Sequence, residues 1–432
     1  MRIGMVSLGC SKNLVDSERI LGILAKGGHS IVADPADSDV IIVNTCGFIE
    51  SAKQEAISTI LEMAEYKNHK CQKLIVMGCL AKRYKEQLIE SLPEVDLVIG
   101  VDEYPHLDEI FARELVAKEY PTWQDGERLV STPKHFAYLK IAEGCSNFCS
   151  FCAIPLIRGR YVSYKMEDIL KEAALLKERG VQELVVIAQD TTRYGIDLYN
   201  KYALADLVRE LSKMEFHWIR ILYMYPEAIT HELVDTMAEL PNVVPYFDVP
   251  LQSGNDRILK LMNRRGDTTT VRNIVKYIRE MIPHAIFRTT MIAGFPTEKK
   301  AEFNDTMRLA KEIEFDRLGA FPYSKEEDTK GYDIKPEVAK KVRVARFERL
   351  MKLQAEISTR KSAALVGQTL EVLVESREML SGKYKGRSIY SAPDDVDGFV
   401  LFKSDKNLSI GEFVNVKITK SYTYDLEGEM VD

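Results

Sequence analysis

Residues 143–152 read EGCSNFCSFC and place Cys145, Cys149 and Cys152 in a C-x3-C-x2-C spacing. Three thiolates this close on one short loop suit three irons of a cubane [4Fe–4S] cluster and leave its fourth iron without a protein ligand. A structural zinc site wants four ligands, usually from two paired knuckles. No second C-x2-C or H-x3-H lies near this loop. Incidental loop cysteines are the plain alternative. Against it stands the chemistry of a reducing compartment, where clustered thiols read as ligands before disulfides.

Phe151 puts an aromatic ring directly before Cys152. The segment resembles the signature of the radical S-adenosylmethionine (SAM) superfamily, which has this spacing and an aromatic residue before the last cysteine. The resemblance implies that the open iron chelates SAM's amino and carboxylate groups. One electron from the cluster would then cleave SAM to a 5′-deoxyadenosyl radical.

Working back toward the N-terminus, the runs 2–8, 40–45 and 73–77 are short, β-branched and nearly all apolar. Such runs predict parallel strands buried on both faces. Helical patterns at 14–25, 52–66 and 82–91 alternate with them, giving a doubly wound α/β domain over residues 1–118. Cys10, Cys46 and Cys79 each follow a predicted strand (SLGC, VNTC, VMGC). Ligands of open α/β sheets bind at that carboxyl edge, and helix N-termini there favour negative charge. One such cysteine would read as a small apolar residue; three at equivalent positions read as a ligand set. Cys71 sits in the polar stretch NHKCQK with no matching strand end and reads as a non-ligand.

With two sets of three cysteines, the sequence resembles the methylthiotransferases, a radical SAM family whose N-terminal domain carries three such residues. The resemblance implies that Cys10, Cys46 and Cys79 bind an auxiliary [4Fe–4S] cluster bearing the sulfur to be inserted. LGCSKNLVDSE, residues 8–18, is similar to the branch that modifies an aspartate of protein twelve of the small ribosomal subunit. The branch acting on transfer-RNA adenosine reads closer to GCQMN, and it stands as the alternative. An external reductant and a sulfur donor are further implied partners.

Residues 119–134 carry Pro121, Gly126 and Pro133 among polar residues and predict a linker. From 135 to 362, six strand–helix repeats predict a partial (β/α)6 barrel of TIM-like kind, with its chemistry at the carboxyl ends of the strands. Arg158 and Arg160 follow the cysteine loop and read either as grips for a substrate carboxylate or SAM's polar end, or as solvated charge. Gln189 and Asp190 end the second strand where radical SAM proteins often carry Gly-Gly-Glu, so they are positional SAM candidates. DVPLQSGNDRIL (248–259) resembles a family segment and offers Gln252 and Ser253 as polar donors. Arg265 is a further substrate candidate. MIAGFP (291–296) is similar to the strand that stacks on adenine, with Gly294 allowing close approach and Pro296 opening the next helix. Phe151 joins the SAM candidates. Relatives usually read YSxxxGT after the last barrel strand; Glu327 and Asp328 depart from that pattern.

Beyond a long charged helix, five short strands over residues 363–432 predict a small OB-like barrel. GRSIYSAPDDVDGFVLF (386–402) resembles the TRAM domain. Residues 364–432 hold 8 Lys plus Arg and 12 Asp plus Glu, a net charge of −4. A domain gripping transfer RNA should be basic. An acidic one suits a basic ribosomal protein, or is simply a solvated surface.

The whole chain has 432 residues, a net charge of −6 and seven cysteines. No apolar run approaches the ~20 residues of a membrane span, and the first residues lack signal-peptide anatomy, so a cytoplasmic setting without membrane attachment is expected. There is no G-x-G-x-x-G after the first strand and no P-loop, which disfavours a nucleotide-dependent oxidoreductase or NTPase.

Overall fold

A computed structural model describes residues 1–115, 119–393 and 397–431. The proposed first-domain boundary at 118, residues 394–396 of the TRAM-like stretch and Asp432 lie outside the described residues. Two compact units emerge: Met1–Thr132 with Glu143–Val162 and Ser324–Tyr332, and the remainder.

The first unit is built on a five-stranded parallel sheet. Its order is Ser30–Val32, Arg2–Ser7, Val40–Thr45, Lys73–Gly78, Leu97–Gly100. Val40–Thr45 is buried along its whole length, as a central strand covered by helices on both faces must be. Ile3, Ile20, Ile23, Leu24, Val40 and Ile42 fill one side of the sheet, and Ile41, Val43, Ile60, Leu74 and Val76 the other. Cys71 is buried in this second core, its Sγ 3.3 Å from the Lys73 carbonyl, which accounts for it as a packing residue. In this strand order the topological switch point falls between Arg2–Ser7 and Val40–Thr45, where Cys10 and Cys46 emerge.

Two expectations change here. The sheet has two short strands, Ser30–Val32 and Leu97–Gly100, that the apolar pattern did not announce. The helix expected over 82–91 is two pieces, Cys79–Arg83 and Lys85–Ser91, because Tyr84 (φ −132°, ψ 34°) leaves helical geometry. The stretch expected as a linker also packs on the N-terminal helix Ser11–Lys26. Glu18 accepts bonds from Arg128 Nη2 (2.5 Å), Ser131 N (2.7 Å) and Ser131 Oγ (2.8 Å).

In the second unit, six parallel strands follow in chain order as two three-stranded sheets. Phe136–Lys140, Glu183–Ile187 and Trp218–Ile221 form one; Tyr246–Asp248, Ile286–Ala293 and Arg317–Pro322 form the other. An Ile219–Val243 bridge joins them. The C-terminal strands Thr369–Arg377, Tyr384–Arg387, Val400–Lys403, Leu426–Val431 and Phe413–Ser421 close into a barrel. That small barrel seats against the amino ends of the larger one. Phe413 stacks on His217 at 3.6 Å between ring centroids and meets Trp218 edge-on. Arg387 reaches Glu183 and Glu375, both at 2.7 Å, and Glu183 also takes Arg220 Nε at 2.7 Å.

Candidate functional site

In the first unit, hydrogen bonds around the strand ends hold the three N-terminal cysteines together. Asn13 Nδ2 donates to the Leu8 carbonyl at 2.7 Å, and Asn44 Nδ2 donates back to the Asn13 carbonyl at 3.1 Å. Thr45 Oγ1 donates to the Met77 carbonyl at 2.6 Å. Each bond ties down a residue one or two positions before a cysteine. Gly9, at φ +88°, passes so close to Cys46 that an added Cβ would lie 2.7 Å from its Cβ, a contact only glycine permits. Asn13 lies in the segment LGCSKNLVDSE that carries the family resemblance; Asn44 and Thr45 carried no signal beyond their place in an apolar strand.

The three thiols differ. Cys10 caps Ser11–Lys26. Burial raises its pKa, but Lys12, Arg158 and the N–H groups of Asn13 and Lys12 prevail and lower it overall. Those N–H groups belong to the first turn of the helix, where the helix itself supplies no acceptors. Burial raises Cys46 despite the Phe48 N–H. Cys79, the first residue of its helix, is pushed up to about 12 by burial, with Arg158 opposing. All seven cysteines are unbridged.

The second cysteine set lies in the same unit. Cys145 and Cys149 are buried and Cys152 partly so. The Cys145 N–H donates to the Gly159 carbonyl and the Cys152 N–H to the Cys149 carbonyl, which folds the loop back on itself. Cys79 packs with Ala153 and Ile157, just beyond Cys152. The segment Ser324–Tyr332 reaches both sets. Arg83 donates to the Gly47 carbonyl (3.1 Å) beside Cys46 and to Glu326 Oε2 (3.0 Å), while the Gly331 N–H donates to the Ser150 carbonyl (2.5 Å). Asp328 takes φ +61° where relatives place glycine, a conformation aspartate tolerates better than most residues.

Among the described residues, no three His, Cys, Asp or Glu side chains are arranged to hold one metal ion. Three thiols that each bind a different iron of a cubane need not share one coordination sphere. Two all-thiol sets of three, each on close-packed backbone, fit clusters rather than a mononuclear zinc site.

The remaining candidates divide. Arg158 is buried: its Nη1 donates to Asp16 Oδ2 (2.8 Å) and Glu143 Oε2 (3.0 Å), and its Nη2 to Asn13 Oδ1 (3.2 Å). This corrects its reading as a substrate grip or solvated charge, since its donors are committed to internal acceptors. Arg160 is exposed, its guanidinium 5.5 Å from the centre of the Phe148 ring. Phe151 is partly buried.

In the second unit, the carboxyl ends of the strands carry Gln189, Asp190, Gln252, Ser253 and Gly294. Asp190 is fully buried, accepting from Thr192 Oγ1 at 2.6 Å and pairing with Arg193 Nε at 3.2 Å. It shapes the loop around Gln189. Gln252 sits at φ +75° between the Thr290 carbonyl and the Ile292 N–H. A strained non-glycine residue at a strand end is the kind of feature that clusters at binding sites. Ser253 is buried and accepts the Asn255 N–H. Gly294, at φ +77°, passes so close to Arg343 that an added Cβ would lie 2.4 Å from its Cγ, so the backbone there requires glycine. Pro296 does not open the next helix, which starts at Lys300 after Thr297 takes φ +68°. Arg265 is exposed. Its neighbour Arg264 lies over the Tyr225 ring at 4.1 Å and donates to the Pro250 carbonyl.

Residues 139–310 match the model of the radical SAM superfamily, and residues 366–431 match that of the TRAM domain. Residues 2–100 match a model described as the uncharacterized protein family UPF0004. The fold is similar to that of the radical SAM methyltransferase TsrM from Kitasatospora setae, solved with cobalamin and a [4Fe–4S] cluster. That likeness has a TM-score of 0.58 at 11% identity over 77% of each chain. Fold and cysteine loop together define a radical SAM protein.

The chain is 46% identical to the ribosomal protein uS12 methylthiotransferase RimO of Thermoanaerobacter sp. (strain X514) over 99% of both chains. Its identity to the RimO of Caldicellulosiruptor saccharolyticus is also 46%, over the full length of each. It belongs to the RimO family of methylthiotransferases. Among the described residues, no helix is long and apolar enough to cross a membrane.

Proposed function

We propose that this chain adds a methylthio group to the β-carbon of an aspartate in ribosomal protein uS12. The observation that carries the reading is the gathering of two three-cysteine sets in one compact unit, with Cys79 against Ala153. The full-length relatives named as uS12 methylthiotransferases support the substrate.

An unactivated C–H bond has no acidic proton, so acid–base side chains cannot begin the reaction and cofactors must. Two [4Fe–4S] clusters and SAM supply hydrogen abstraction, electron delivery and the methylated sulfur. Cys145, Cys149 and Cys152 hold one cluster on their short loop. Cys10, Cys46 and Cys79 hold the other at the switch point of the parallel sheet. Phe151 stands in the cysteine loop of the first unit; Gln189, Gln252 and Ser253, at the carboxyl ends of strands in the second, are the polar candidates for SAM, and Asp190 fixes the loop that carries Gln189. Arg160 and Arg265, both exposed, are each candidates for the substrate carboxylate. The residues around Asn13, Arg83 and Glu326 keep the two ligand sets from drifting, and such positioning is the main contribution a protein makes to a radical transfer. Reductant and sulfide come from outside the chain.

The acidic C-terminal barrel suits a lysine- and arginine-rich protein through complementary charge. Its net charge of −4 over residues 364–432 works against a polyanionic RNA. The test is a competition under anaerobic conditions with reconstituted enzyme, SAM, dithionite, sulfide and equal amounts of uS12 and transfer RNA. Methylthiolation confined to the uS12 aspartate supports the reading. Methylthioadenosine in the transfer RNA, with uS12 untouched, overturns it.

A further inference from the structure

We propose that Arg158, supplied by the loop of one cysteine set, is a positioning residue for the other: it fixes the charge around the cluster held by Cys10, Cys46 and Cys79 and sets that cluster's reduction potential. The inference rests on the assignment of these three cysteines to an iron–sulfur cluster.

Arg158 ends the short helix Ile154–Arg158, six residues past Cys152. Its side chain is 2% exposed, as buried as that of its partner Asp16 at 1%. A buried guanidinium is held only where acceptors surround it, and here Asp16, Glu143 and Asn13 provide them. Asn13 and Asp16 stand on the first turns of the helix capped by Cys10. Ile157, the preceding residue, packs on Cys79. The guanidinium is therefore fixed beside the N-terminal cysteines by partners on the helix that Cys10 caps and by the packing of Ile157 on Cys79. Its positive field also acts on Cys10 and Cys46.

Three thiolates give such a cluster net negative charge, and reduction adds one more electron. A fixed cation nearby stabilises the reduced form more than the oxidised form and raises the potential. Asp16 opposes that effect. The arrangement thus makes two predictions of opposite sign from two residues in direct contact. Loss of packing alone has no reason to produce such a pair.

The experiment uses the full chain with Cys145, Cys149 and Cys152 all changed to Ala, leaving only the N-terminal cluster. After anaerobic reconstitution, iron content is measured and the midpoint potential is followed by EPR during redox titration. Arg158→Met should shift the midpoint to more negative potential, Arg158→Lys should restore most of it, and Asp16→Asn should shift it to more positive potential. If Arg158→Met does not hold iron, Arg158→Lys and Asp16→Asn still decide the matter. Unchanged midpoints, or shifts of the same sign in the Met and Asn variants, overturn the inference. A parent protein that binds no iron overturns the cluster assignment itself.

Discussion

Cys79 lies against Ala153, the residue directly after Cys152, in a small buried cluster with Ile157. A cysteine of one set thus packs against the residue next to a cysteine of the other, 73 positions further along the chain. The contact makes the spacing of the two ligand sets a property of the packed backbone.

Ala153 is fully buried, so Ala153→Leu must push the two sets apart. Overpacking of this kind costs about 1–3 kcal/mol. The variant should still cleave SAM but form less methylthiolated product per 5′-deoxyadenosine released. Quantifying both products in the same reaction checks it; an unchanged ratio would mean that the contact does not set the spacing.

Arg387, paired with Glu375 inside the small C-terminal barrel, joins that barrel to the amino ends of the large one through Glu183. Arg387→Met leaves the buried Glu183 and the partly exposed Glu375 short of a partner. Breaking a buried pair by removing one member costs about 3–5 kcal/mol. Urea denaturation should register a loss of that order, since Arg220 and His135 relieve the carboxylates only in part.

Thr297 holds φ +68°, a left-handed conformation that a β-branched residue adopts at a cost. Thr297→Gly should raise stability by about 1 kcal/mol. It forfeits only an exposed hydrogen bond to Arg257. Thermal unfolding checks the sign.

Glu298 accepts bonds from the Gly294 N–H at 3.0 Å and from Arg346 at 2.6 Å, bracing the turn after Ile286–Ala293. Burial outweighs both partners and raises its pKa from 4.5 to about 7. The folded state therefore holds this proton more tightly than the unfolded chain. Its contribution to stability is complete below pH 4.5 and is lost as pH rises through about 7. Glu298→Gln, which cannot titrate, should lack this component in a series of denaturation curves across that range.

Much of this architecture was legible in the sequence because it is written in local patterns. The continuous apolar run at 40–45 is a central strand to the residue. The strand–helix alternation from 136 to 322 likewise gave all six barrel strands to within a few residues. Ser30–Val32 was missed because three half-exposed residues at a sheet edge carry no period. The cysteine sets were legible from their spacing and from their place after strands. What surrounds them was not: Arg158 meets Asp16 across 142 positions, and Arg83 meets Glu326 across 243. No helical or strand periodicity spans such distances. A lone arginine near a ligand loop therefore read as a substrate grip until its partners were seen.

The central claim is that the two cysteine sets hold clusters with different tasks, and one comparison tests it most directly. Wild-type enzyme, the Cys10→Ala, Cys46→Ala, Cys79→Ala variant and the Cys145→Ala, Cys149→Ala, Cys152→Ala variant are each reconstituted and incubated with SAM, reductant, sulfide and uS12. Mass spectrometry then reads methylthioaspartate and 5′-deoxyadenosine from the same tube. The account predicts both products from wild type, 5′-deoxyadenosine without methylthioaspartate from the first variant, and neither from the second. Methylthioaspartate formed without Cys10, Cys46 and Cys79 would contradict it.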